Sequence, residues 1–135
     1  MTQSSHFQQL LQAAAAQPEP QRLLFVFAAA ELPDDATPAQ RARFAAGEGG
    51  TLTPLMCVDK APHELAGFAA LRAESQQAGP PWQVVFAAGL GGRNGQPPSE
   101  AQIDTALEAM VEAVRTGSFG RFAAYDPNGD PVEFS

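Results

Sequence analysis

The sequence predicts an α/β fold: one mixed sheet of about three central strands plus a C-terminal β-hairpin, flanked by helices. Eight consecutive residues, Leu23 to Ala30, are apolar without alternation, as expected of a strand covered on both faces. A second mostly unbroken run, Trp82 to Leu90, has the same character. Around these runs lie segments with helical spacing and recognisable caps. An α+β arrangement with a largely antiparallel sheet is the alternative, because the second strand is short enough to fit either.

In chain order, Ser5 and Gln8 fit a capping box, and Phe7, Leu10, Leu11 and Ala14 then share one helical face. Pro18 and Pro20 stop that helix before the Leu23 strand. Thr37, Pro38 and Gln40 supply an N-cap, an N1 proline and a box partner for a short helix to about Ala46, which Gly47 to Gly50 end and reverse. The second strand is expected at Leu55 to Val58, since Pro54 donates no backbone hydrogen bond and belongs at an edge or just outside. Pro62 opens a third helix with Leu65, Phe68, Ala69 and Leu71 on its apolar side, ended by Gly79, Pro80 and Pro81. Ser99 and Gln102 box a fourth helix whose apolar line is Ile103, Leu107, Met110 and Val114, with Gly117 as its C-cap. That line covers too little for a coiled coil, so it is expected to face the sheet. The tail pairs as a hairpin about Asp126 to Asp130. Read as strand, helix, strand, the chain calls for right-handed crossovers in a single domain over residues 1–135.

Composition narrows the function. Fifteen acids against eight Lys and Arg give a net charge of −7, which repels a phosphate backbone and excludes nucleic acid as an expected partner. No apolar run approaches a membrane span. One cysteine, Cys57, forms no internal disulfide, and the start MTQSSHFQQ lacks the basic and apolar regions of a signal peptide, so a cytoplasmic location is expected. Arg41 and Arg43 form the closest basic pair and suit the C-terminal half of a helix.

The motifs are incomplete as chemistry. In GLGGRNG, Gly89 to Gly95, Asn94 stands where a dinucleotide fingerprint needs its third glycine, and no G-K-[ST] makes a phosphate loop; the piece reads as a surface loop. Cys57 lacks a second cysteine and has only His6 and His63 as basic partners, so it is expected as a small buried hydrophobe. His63 and Glu64 begin an H-E pair without the second histidine of a zinc protease, and read as helix N-terminal residues. Asp126, Asn128 and Asp130 have the wrong spacing for a calcium loop and read as a turn. Asp34 and Asp35, adjacent in a loop, have nothing to make them an acid and base pair. No catalytic residue, metal site or cofactor is expected.

One group is more suggestive. Glu31, Asp59, Lys60, Arg93 and Asn94 each follow a predicted strand, and in a parallel sheet they gather at the carboxyl edge where open α/β sheets hold ligands. With the amides of Gly91 and Gly92 they form a candidate site for a small anionic ligand.

The segments PEPQRLLFVF (Pro18 to Phe27), PLMCVDK (Pro54 to Lys60), GRNG (Gly92 to Gly95) and YDPNGDPVEF (Tyr125 to Phe134) resemble a small proteobacterial family of about this length, whose members often carry the label "ribonucleotide reductase subunit alpha". The resemblance covers nearly the whole chain and implies a bacterial cytosolic origin, with no site residues to carry over. Reductase catalysis is not expected, since a reductase large subunit is several times longer and needs a radical-bearing cysteine plus a redox pair. The expected function is a non-catalytic accessory or interaction domain, with a protein partner or self-association as a homodimer. The alternative is a binding protein, or a small enzyme, for an anionic ligand near Gly89 to Asn94.

Overall fold

The computed structural model describes residues 5–31, 35–45 and 51–132. Asp34 and the reversal at Gly47 to Gly50 lie outside them. In chain order the elements are α1 (His6–Ala15), β1 (Gln21–Glu31), α2 (Pro38–Ala45), β2 (Thr51–Lys60), a 3-10 turn at Pro62–Glu64, α3 (Phe68–Ala78), β3 (Val84–Gly91), α4 (Glu100–Thr116) and β4 (Ala123–Tyr125). The strands form one sheet in the order β2-β1-β3-β4, with helices on both faces, an α/β fold.

β1 is central because its six residues Leu23 to Ala28 are all buried. The strand alternates geometrically even where hydropathy does not. Leu23, Phe25 and Phe27 join Phe7 and Leu11 of α1, Leu71 of α3, Trp82 and Tyr125 on one face. Leu24, Val26 and Ala28 meet Ile103, Leu107, Met110 and Val114 of α4 on the other. α4 matches its sequence reading throughout: the Ser99 hydroxyl accepts from the Gln102 amide at 3.1 Å, the Gln102 side chain accepts from the Ser99 amide at 2.9 Å, and Gly117 caps with φ 81°, a conformation that favours glycine. The one buried polar side chain among the described residues, Ser75, is satisfied: it accepts from the Trp82 indole and donates to the Arg72 carbonyl, both at 2.8 Å.

Strand direction differs from the mixed sheet expected. β1 is antiparallel to both β2 and β3, and β3 is antiparallel to β4. The crossover through α3 is nevertheless present, since β2 and β3 run the same way with β1 inserted between them. Hydrophobic runs report burial, and burial is indifferent to direction, so the parallel reading had no basis in the residues. β2 is also longer than expected and includes Pro54, opposite Ala28 at a register shift. The third helix splits: Pro62 starts only a 3-10 turn, and α3 begins at Phe68. The C-terminal hairpin forms, with Val132 donating to the Ala124 carbonyl at 2.9 Å. Its Asp126 carboxylate accepts from the amides of Asn128 and Asp130 at 2.8 and 3.1 Å, the role of an aspartate at the start of a turn.

Peptide groups can be assigned to each side of β1. Gly92 donates to the Pro20 carbonyl at 2.8 Å and Gln83 to that of Ala28 at 2.9 Å, so the even-numbered residues of β1 turn toward β3. Phe27, Phe25 and Leu23 therefore turn toward β2 and bond Met56, Val58 and Lys60, their register partners. The peptide groups of Cys57 and Asp59 consequently point out of the sheet.

Candidate functional site at the sheet edge

The parallel directions of β2 and β3 bring Asp59, Lys60, Gly91, Gly92, Arg93 and Asn94 to one end of the sheet, beside Gln21 and Arg22 at the start of β1. Glu31 is not among them. It stands at the opposite end, paired with Thr51, because β1 opposes both neighbours.

At the assembled end, bonding capacity is largely spent internally. The Arg22 guanidinium donates through Nε to Asp59 Oδ2 at 3.0 Å, with Nη2 on the same oxygen, and through Nη1 to Glu64 Oε1 at 3.1 Å. Glu64 also accepts from the Ala61 amide at 2.7 Å; that hydrogen bond first, then the charges of Arg22, Lys60 and His63, hold its carboxyl below the usual range. Lys60 Nζ meets Glu74 Oε1 at 2.6 Å. The GRNG segment is a two-residue hairpin turn: Arg93 and Gln96 exchange backbone bonds at 3.0 and 2.9 Å, and Asn94 and Gly95 both have positive φ, 53° and 77°, as a type I′ turn requires. A Cβ at Gly92 would lie 1.8 Å from the Gln96 carbonyl oxygen, so the glycine serves close approach of two backbones. The Gly92 amide goes to Pro20, and that of Gly95 to the Glu19 carboxylate at 2.8 Å. A carboxylate of the chain itself occupies part of the suggested anion cradle. An open cavity of about 480 Å³ adjoins this end, with Glu19, Gln21, Arg22 and His63 in its wall.

Sequence reading missed Arg22, Glu19 and Glu64, whose partners are distant in sequence. It also missed the contact between His6 Nδ1 and the Tyr125 hydroxyl, 2.6 Å apart. Tyr125 is fully buried, and burial pushes its phenol up to about 12, so at neutral pH it is a hydrogen-bonding clip for α1 rather than an acid or base.

The outer side of β2 is different. No strand among the described residues pairs with it, and Cys57, expected as a buried hydrophobe, is exposed there. The expectation failed because a lone cysteine does not report whether its strand is central or at an edge. Partial burial, then the neighbouring Asp59 and Asp104 charges, push the thiol up, which opposes thiolate chemistry. Grooves flank the strand on both faces. Toward α4 lies an open groove of about 480 Å³ with Leu107 and Val111 on its floor and Asp104, Glu108, Glu112 and Arg115 along its wall. Toward α3 lies a smaller one of about 290 Å³, mostly apolar, formed by Phe27, Met56, Val58, Leu71 and Ala78, with Glu74 and Ser75 beside them.

The chain matches no protein-family model, no curated protein and no solved structure. Among the described residues, no group of three or more His, Cys, Asp or Glu is placed to hold a metal ion, and no helix is long and apolar enough to cross a membrane. The chemistry on offer at β2 is therefore backbone hydrogen bonding beside an acidic and an apolar groove.

Proposed function

We propose that the chain is a non-catalytic accessory domain of the bacterial cytosol that engages another protein through the outer side of β2. The observation that carries this reading is a 10-residue strand whose outer side is unpaired among the described residues, with outward peptide groups at Cys57 and Asp59. An exposed strand of this kind accepts an extended segment from a partner, with backbone bonds supplying affinity and the flanking grooves selectivity. The resemblance to the reductase-labelled family makes ribonucleotide reductase one bait to include. The test is affinity purification from bacterial cytosolic extract with the wild-type chain and Cys57→Pro, which removes an outward N–H while sparing the bonds to β1. Partners retained by wild type and lost by a folded Cys57→Pro support the reading; an identical set of partners overturns it.

A second reading, a small anionic ligand at the carboxyl ends of β2 and β3, has a cavity nearby at Arg22 and His63, but Lys60, Gly91, Gly92 and Arg93 do not line it, and the internal pairing of Lys60 and of the Gly92 and Gly95 amides opposes it. A thermal-shift screen of nucleotides, phosphosugars and carboxylates tests it, because a ligand at a hundred times its Kd adds roughly 2.7 kcal/mol. A shift abolished by Arg93→Ala supports this site, and no shift in wild type removes it.

A further inference from the structure

Resting on the reading of β2 as a docking strand, we infer that its partner segment is an extended peptide alternating apolar and basic residues. An added strand projects successive side chains to opposite faces of the sheet, so every second residue meets the α4 groove and the others meet the α3 groove. The two grooves differ in chemistry. On the α4 side, Asp104, Glu108 and Glu112 stand above Leu107 and Val111. Glu112 already pairs with Arg115 at 2.9 Å, whereas Asp104 and Glu108 have no ion-pair partner among the described residues. A lysine or arginine fits this arrangement, its aliphatic stem on the two apolar residues and its charge on the carboxylates. On the α3 side, Met56, Val58, Leu71 and Ala78 form an apolar slot suited to a branched aliphatic side chain, and Met56 adapts to its shape.

The same charge argues against a second copy as occupant. Two β2 strands paired side by side bring two acidic α4 walls into one seam, each on a chain of net charge −7. The residues β2 would itself contribute beside that wall include Cys57 and Asp59, neither of them cationic. Like charges so placed disfavour association.

Binding of a fluorescein-labelled peptide of alternating valine and lysine to the full chain, compared with its valine and glutamate counterpart, tests the inference. The lysine peptide is expected to bind roughly tenfold more tightly, the effect of two or three exposed ion pairs, and to weaken with salt. The double substitution Asp104→Lys with Glu108→Lys is expected to invert the preference. N-methylating the lysine peptide alters the probe rather than the protein and is expected to abolish binding. Equal binding of both peptides that remains sensitive to N-methylation overturns the basic partner and leaves the docking strand standing. Absence of binding, with partner capture unaffected by Cys57→Pro, overturns both. Sedimentation of the chain alone as a dimer disrupted by Cys57→Pro overturns the inference in favour of a second copy.

Discussion

The end of the sheet and the outer side of β2 hold similar residue types and use them oppositely. At the end, Arg22, Asp59, Lys60 and Glu64 are joined to one another or to Glu74, and the glycine-rich turn spends its amides on Pro20, Glu19 and itself. Along β2, peptide groups face outward and Asp104 and Glu108 face a groove. The lesson is that charged and glycine-rich residues do not mark a site by their presence. Unspent bonding capacity does, and only the assembled sheet reveals where it remains.

The largest expected effect concerns the floor of that groove. Leu107→Ala is expected to cost about 2 to 5 kcal/mol in denaturant unfolding, a cavity-type loss, because Leu107 packs with Leu24, Val26 and Phe86. Denaturation equal to wild type, with loss of a dimer in sedimentation, would instead make α4 an interface. The internal pairing at the sheet end is tested by Arg22→Ala, expected to destabilise by about 1 to 2 kcal/mol, since Arg22 and Asp59 are only 26% and 30% exposed and a charged acceptor loses its donor. Exposed Glu64 adds little to that figure. A value near zero would mean that the end is no more committed than the side.

Tyr125→Phe is expected to cost about 1 kcal/mol near neutrality, one hydrogen bond to His6. It also carries a pH signature. The folded phenol is raised to about 12 from 10.0, so its contribution is fully present below the unfolded value and is lost as pH rises toward the folded one. The wild type should therefore lose stability relative to Tyr125→Phe across that alkaline interval, and parallel profiles would refute the burial argument. The smallest effect is at the docking side: Glu108→Gln is expected to change stability by no more than about 0.5 kcal/mol while weakening binding of the valine and lysine peptide. A large stability loss would place Glu108 in structural service and erase the contrast.

Much of this was legible in the residues, for identifiable reasons. α4 was readable because its caps and its line Ile103, Leu107, Met110, Val114 are local, and all four residues are buried. β1 was readable as a covered strand because an unbroken apolar run has few alternatives; in β3 the same reading holds for Val84 to Ala87, which are buried, and not for Gly89 and Gly91, which are exposed. Glu31 was misplaced because its position depends on β1 opposing β2 and β3, a property of pairing between distant segments that no residue encodes alone. Cys57 was misjudged for a related reason: membership of a strand is local, and a place at the side of the sheet is not. The Arg22 cluster joins residues 37 and 42 positions apart, beyond any pattern of spacing.

Pro54 has a consequence for stoichiometry. By the alternation that turns Thr53 toward its partner Ala29, Pro54 lies on the outward side, where a ring without an N–H interrupts any incoming strand. The opposite flank of the sheet, β4, is only three residues long and is met by the returning chain at Pro131. A sheet extendable at both flanks can polymerise into fibres; among the described residues, Pro54 on one flank and the short β4 on the other both work against that. On the reading of β2 as a docking strand, Pro54 confines an incoming segment to the residues that follow it, and the short β4 flank offers a further copy little to pair with.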